Sequence, residues 1–495
     1  MKKNIAYVLM VVLFASGGII ALANNADRET IEPRVSATAE PWPSEYNGTE
    51  TTPQLSPSNI NLRRETDSFV GIVQSAKENA TDLTFEDIRA MVREAVALAG
   101  GLEGIVNDGD TVVLKPNIVT IRCNTLPGWN GRRLPAEVNG NSTDYRVTRA
   151  VAQMVRELNP SGLIYVMEGS TGNTAEFFRA MNYTREHIPE VDEFFAIETD
   201  SGTWGDRNSN GLIRVSLEGA LLHSEYYFNR RLYEADVLIS LPTLKNHWDA
   251  VVTGSIKNIA IGVTPANIYG NSATDSLRNN MVNHFTPDLH KWIADYYTLR
   301  PADFVVMDGL QGLQHGPTPS YEISGITNFA AAQMNMRVIM ASADSLANDI
   351  VQTNIINWDM DSVRYLQHLI EAERVGNGNT QNITVLGVMV DDIRTDFDGV
   401  VPATGGRRIT RPTPPQISIQ SAAFNGGNLR MQLTLSNDTD KLDIYINGSY
   451  VTSVSENMTD FSLNLQTLPD GNHEIIVYAY DRYMHNASAS VNARK

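Results

Sequence analysis

The chain has 495 residues, length for about three domains, and 57 acidic against 39 basic residues give a formal net charge of −18. That sign repels phosphate backbones and argues against a nucleic-acid partner. The hydrophobic share of 42% permits a sizeable core, and a single cysteine, Cys123, excludes an internal disulfide framework and an iron–sulfur cluster held by this chain alone.

Lys2 and Lys3 precede an apolar run, Ile5 to Ile20, that ends in Ala21-Leu22-Ala23. A basic start, an apolar middle and a small-x-small end predict a signal peptide over 1–23, with an uncleaved membrane anchor as the alternative. Either places the protein outside the cytoplasm, with the membrane touched only through this segment. Residues 24–66 carry Pro33, Pro41, Pro43, Pro53 and Pro57 and no apolar period, which predicts an exposed linker. Asn-x-Ser/Thr triplets, among them Asn141, Asn182 and Asn447, make glycosylation an option in a host that performs it.

Over 67–405 short β-branched runs alternate with helical stretches. Strands are predicted at Phe69–Val73, Thr111–Leu114, Leu163–Met167, Phe194–Ile197, Val237–Leu241, Phe304–Met307, Val338–Met340 and Ile383–Val388. Helices are predicted at Phe85–Leu98, Tyr145–Leu158, Ala175–Met181, Leu346–Ile356 and Ser362–Glu373. Continuous apolar strands between helices predict an α/β domain with a mostly parallel sheet covered on both faces. After Pro412-Thr413-Pro414-Pro415, residues 415–495 show short alternating runs divided by Asn425-Gly426-Gly427, Asn447-Gly448 and Pro469-Asp470-Gly471, the pattern of a small all-β sandwich.

Ligands bind at the carboxyl ends of parallel strands. Those ends carry Lys115-Pro116-Asn117, Glu168-Gly169-Ser170, Lys245-Asn246-His247 and Asp308-Gly309, with Asp344 just past another strand. On one shared edge, Lys115, Lys245 and Lys257 form a cationic crevice suited to a phosphate or carboxylate, offset by Glu168 and Asp308. Thr253-Gly254-Ser255 opens the stretch bearing Lys257 and Asn258, and a helix start there offers further N–H donors to an anion.

Leu241-Pro242-Thr243-Leu244-Lys245-Asn246-His247 with Thr253-Gly254-Ser255-Ile256-Lys257-Asn258 resembles the central motif of the domain-of-unknown-function 362 family. Val112–Asn117, Phe304–Gly309 with Gly316-Pro317, and Ala341–Asp344 with Ala347-Asn348-Asp349 resemble its other motifs. The resemblance spans Val70 to Gly387 and implies no established activity. Some family members carry ferredoxin-type cysteine repeats, which this chain lacks, and the stretch Cys123 to Gly140 departs from the family pattern. Leu468–Ile475 followed by Tyr478–Asp481 resembles the late hairpin of bacterial immunoglobulin-like modules, which implies spacer, surface or glycan contacts.

Three readings compete. The first is an exported enzyme-like domain binding an anionic small molecule, with Lys245, His247, Asp308 and Glu168 as catalytic candidates and Lys115, Asn117, Lys257, Asn258 and Asp344 as ligand-binding candidates. The second is a non-catalytic surface or glycan binder acting through the C-terminal module. The third is a metal-dependent hydrolase in which His284, Asp288 and His290, with His247 or His315, hold a divalent cation. Asp206–Gly211 begins like a calcium loop but has Leu217 at the twelfth position, so a turn before Leu212 is the expected structure. Cys123, in a Gly/Pro/Arg-rich loop, is expected to be incidental unless exposed for pairing between chains.

Overall fold

The computed structural model describes residues 54–55, 67–123, 126–128, 131–270, 288–400, 405–410, 414–455 and 459–495. The expected leader over 1–23, most of the linker over 24–66, and His284 lie outside them. No helix among the described residues is long and apolar enough to cross a membrane.

The α/β body runs in this order: β1 (Ser68–Gln74), α1 (Phe85–Leu98), β2 (Thr111–Pro116), α2 (Tyr145–Leu158), β3 (Leu163–Glu168), α3 (Thr174–Ala180), β4 (Glu193–Ala196), β5 (Leu212–Leu217), β6 (Glu225–Asn229), β7 (Val237–Leu241), β8 (Thr243–His247), β9 (Val251–Thr253), α4 (Ser255–Gly262), α5 (Asp288–Leu299), β10 (Phe304–Leu313), β11 (Val338–Ser342), α6 (Ser345–Ile355), α7 (Arg364–Ala372) and β12 (Ile383–Gly387). The main sheet has the order β12-β1-β11-β10-β7-β2-β3-β4. All its neighbouring pairs are parallel except those made by β11, which is antiparallel to both β1 and β10. The antiparallel pair β5–β6 lies in a separate small sheet, entered through turns at Asp206–Gly211.

Alternation along the strands divides the core into two layers. Val112 and Leu114 pack with Ile88, Val92, Val147 and Val151 of α1 and α2. Val113, between them, packs instead with Ile256, Ile293 and Ile350 of α4, α5 and α6. A strand side-chain period of two sends successive residues to opposite faces, and apolar residues at both parities then require helices on both sides. α1 begins with a capping box, Thr84 and Asp87 each bonding the other's backbone N–H. Asp144 caps α2 through the N–H of Arg146.

The C-terminal module is an immunoglobulin-like sandwich of β13 (Ile417–Asn425), β14 (Asn428–Leu435), β15 (Lys441–Ile446), β16 (Ser449–Ser455), β17 (Asp460–Asn464), β18 (Asn472–Tyr480) and β19 (Asn486–Arg494). Its sheets have orders β13-β14-β17 and β16-β15-β18-β19. Leu429, Met431, Leu442, Ile444, Ile475 and Val477 fill the space between them.

The module packs against β12, the edge strand of the main sheet. Lys441 Nζ donates to the Ile383 carbonyl at 2.5 Å and pairs with Asp443 at 3.1 Å. Thr380 and Gln381 donate to Asp440 at 2.7 and 3.2 Å, and Arg394 donates to the Tyr483 carbonyl at 2.7 Å. The exposed-edge problem of an open sheet is thus met on this side by covering the strand. Lys441 and Asp443 are both buried, so Lys441→Ala, which strands the carboxylate, should cost about 3–5 kcal/mol in denaturant unfolding. Lys441→Met combined with Asp443→Leu should recover most of that loss.

Candidate functional site

Lys115 is next to last on β2 and Glu168 ends β3, and because the strands are parallel neighbours their side chains meet. Lys115 Nζ lies 3.0 Å from Glu168 Oε1 and also donates to Asn258 Oδ1 at 3.2 Å and the Pro116 carbonyl at 2.6 Å. Glu168 accepts two backbone N–H bonds as well, from Ile118 at 2.7 Å and Gly169 at 2.8 Å. Burial raises the Glu168 carboxyl against the opposing pull of Lys115 and these donors. Gly262 is required here: a Cβ on it would come within 2.7 Å of Lys115 Nζ.

Asn258 joins this pair to a second lysine. Its Oδ1 accepts from Asn117 Nδ2 at 3.0 Å, and Asn117 Oδ1 accepts from Lys245 Nζ at 2.7 Å. The other acceptor of Lys245 is the Asn141 carbonyl, at 2.7 Å. Both lysines have no exposed surface. Among the described residues no carboxylate makes an ion pair with Lys245. Burial first, then the like charge of Lys257, pushes Lys245 well below the ordinary lysine range.

Lys245 lies on β8, which pairs antiparallel with β9 so that Lys245 faces Thr253 and His247 faces Val251. Thr243, Lys245 and His247 alternate along β8 and share a face. The hydroxyls of Thr243 and Thr253 are buried without a hydrogen-bond partner among the described residues. His247 Nδ1 accepts the N–H groups of Asp249 at 3.0 Å and Ala250 at 3.2 Å, so this imidazole shapes the hairpin turn. Gln352 of α6 clamps the hairpin from behind, donating to the carbonyls of Thr253 at 3.0 Å and Lys245 at 3.2 Å. Lys257, on the first turn of α4, is buried and acts electrostatically on both Lys245 and Asp249. Burial raises Asp249 to about 6.

Asp308 is buried below this network as an anchor. Its oxygens accept the N–H of Asp144 at 2.8 Å and of Leu310 at 3.0 Å. Burial, then the charge of Asp144, raises it to about 7. The anchored segment is Asn139–Asp144, which carries the Asn141 carbonyl to Lys245. Gly140 of that segment has φ 74°, and a Cβ there would meet the Gln311 carbonyl at 2.8 Å.

Two expectations are corrected. Asp344 does not share the edge with Lys115 and Glu168: it follows β11, the reversed strand, so it sits at the opposite end of the sheet. There it caps α6 through Leu346 and Ala347 and accepts from Ser68 Oγ at 2.7 Å. The α4 N-terminus is not open to an outside anion, because Asp349 takes the N–H groups of Ser255 at 2.7 Å and Ile256 at 3.0 Å. Gly254 is the residue that permits this, since a Cβ on it would lie 2.3 Å from that carboxylate. Of the metal candidates, Asp288 pairs with Lys291 at 3.3 Å and burial lowers His290 to about 4 as it bonds the Asp249 backbone, while His284 lies outside the described residues. Among the described residues no group of three or more His, Cys, Asp or Glu could hold a metal. Cys123, expected to be incidental unless exposed, is fully buried, and its thiol is pushed up to about 12.

Residues 112–354 match the family described as "Domain of unknown function (DUF362)". The α/β body of this chain belongs to that family. The DUF362 match begins in β2 and ends in α6, enclosing every residue of the buried network. No curated protein matches the chain. Among solved structures, it is similar to the fibronectin(III)-like modules of Clostridium thermocellum CbhA, at 20% identity and TM-score 0.14, covering 16% of this chain and 94% of that one. It is also similar to the spore cortex lytic enzyme SleM of Clostridium perfringens, at 8% identity and TM-score 0.17, covering 83% and 76%. The endo-β-1,4-mannanase of Thermotoga petrophila gives 10% identity and TM-score 0.17, covering 88% and 99%.

The positions not anticipated as functional were Asn141, Asp349, Gly262 and the two threonines. The alternation Thr243, Lys245, His247 was the available signal for β8. Asp349→Ala should lower stability by about 1–3 kcal/mol by leaving two buried N–H groups unpaired, measured by denaturant titration. Asp308 has a folded value above the unfolded carboxyl range, so the native state holds its proton more tightly. The stability this contributes is complete below about pH 4 and lost as pH rises through about 7. Unfolding free energies at several pH values should therefore decline across that window, less steeply in Asp308→Asn.

Proposed function

We propose that the DUF362 body binds a small anionic molecule, a phosphate or carboxylate, on the hairpin face carrying Thr243, Lys245 and Thr253, beside Lys257. The observation that carries this reading is the state of Lys245. It is fully enclosed, bonded only to amide oxygens, and next to two buried hydroxyls with no partner among the described residues. Buried donors left unpaired cost free energy, and an anion among them would satisfy the hydroxyls and offset the lysine charge. The Lys115–Glu168 pair, with Asn117 and Asn258, fixes the position of Lys245. Asp249, raised to about 6 and within the field of Lys257, takes the acid–base place in this reading. The apolar run at the N-terminus supports an exported location.

The experiment is a thermal-stabilisation screen of the full chain with inorganic phosphate and small carboxylates. A ligand at a hundred times its Kd should add about 2.7 kcal/mol, and Lys245→Met should abolish that gain. A variant that keeps the full stabilisation removes Lys245 from the site.

A further inference from the structure

The two lysines with no exposed surface, Lys115 and Lys245, differ in how their nitrogens are satisfied. Lys115 has three acceptors, the Glu168 carboxylate, Asn258 and the Pro116 carbonyl, which match the three N–H bonds of an ammonium. Lys245 has two, both uncharged, at 2.7 Å each. Two acceptors match the two N–H bonds of a neutral amine and leave its lone pair uncommitted. The charges around Lys245 come from Lys257 on α4, Lys115 on β2, Glu168 on β3 and Asp308 on β10. Glu168 is already bonded to Lys115, and Asp308 to backbone N–H groups. A desolvated lysine beside a second cation is the arrangement that makes an amine nucleophilic at neutral pH.

We propose that Lys245 is an imine-forming amine whose partner is a small 2-oxo acid, held by its carboxylate at Lys257 and the hydroxyls of Thr243 and Thr253. This rests on the anion-binding reading and adds a reaction to it. The Nζ lone pair forms a bond to the carbonyl carbon. The carbonyl oxygen collects the two amine hydrogens and leaves as water, and a C=N bond remains. No electrons are exchanged and no further reactant is consumed. The carboxylate adjacent to the carbonyl is what the hairpin face recognises, so a simple aldehyde without an acidic group is a poorer partner.

The test uses the intact chain with glyoxylate and cyanoborohydride at pH 7, followed by peptide mapping for the reduced, carboxymethyl adduct. Lys245 should be labelled at least tenfold faster than the exposed Lys77 and the half-buried Lys291, inorganic phosphate should slow that labelling, and Lys257→Met should slow it as well. Labelling of Lys77 and Lys291 with Lys245 unmodified overturns the imine. If phosphate still stabilises the chain through Lys245 in that case, the anion site stands without the imine. If phosphate and carboxylates have no effect either, both are overturned. The deciding comparison of Lys245 with Lys77 and Lys291 is mapped on the unaltered protein, so it does not depend on the Lys257→Met variant folding.

Discussion

Two fully enclosed lysines at the carboxyl edge of a parallel sheet, Lys115 and Lys245, set the terms for the residues around them. Moving a charge out of water is expensive unless it is paired and hydrogen-bonded. Lys115 is paired, by Glu168 from the neighbouring strand. Lys245 is tied to the same network only through the amides of Asn117 and Asn258 and the backbone of Asn141. The network therefore treats its two lysines unequally, which is hard to explain as stability alone. A structural role would be served as well by an apolar side chain at 245.

Several distant features hold this arrangement in register. Asp349 fixes the start of α4, so that Asn258 and Lys257 project at the right turn. Gly262 leaves room for Lys115, Asp308 tethers the segment bearing Asn141, and Gln352 clamps the hairpin. These contacts join strands and helices separated widely in the chain, so removal of one disturbs the others. The reversed strand β11 contributes differently. It directs Asp344 to the far end of the sheet, where that carboxylate caps a helix and takes no part in the network. On the other side, the C-terminal module covers the edge strand β12 through Lys441, and the face bearing Lys441 is committed to the body rather than to an outside surface.

Much of the architecture was legible in the sequence because it rests on local pattern. The amphipathic period of Phe85–Leu98 and Tyr145–Leu158 matches α1 and α2 residue for residue, and the apolar run Val237–Leu241 matches β7. The β8–β9 hairpin was less visible, because Lys245, Asn246 and His247 are polar yet buried, and polar residues mark a loop unless a partner strand is known. Strand direction cannot be read from composition, so Asp344 was placed on the wrong edge. The competition between an inner carboxylate and an outside anion for the α4 N-terminus depends on a contact between residues 255 and 349, which no spacing rule reveals. Lys115, Asn117, Glu168 and Lys245 were legible as neighbours because strand ends in a parallel sheet share an edge, whereas Asn258, on α4, was marked by the stretch that follows Thr253-Gly254-Ser255.

The most direct measurement is a titration of the Lys245 side chain itself, by heteronuclear NMR of the Cε and Nζ resonances in the ligand-free chain. A midpoint well below the ordinary lysine range is expected, moving upward when phosphate or a carboxylate is added and unmoved by a neutral analogue. A midpoint within the ordinary range, indifferent to anions, would show that Lys245 carries a fully compensated charge and that the edge is a structural knot with no place for a ligand.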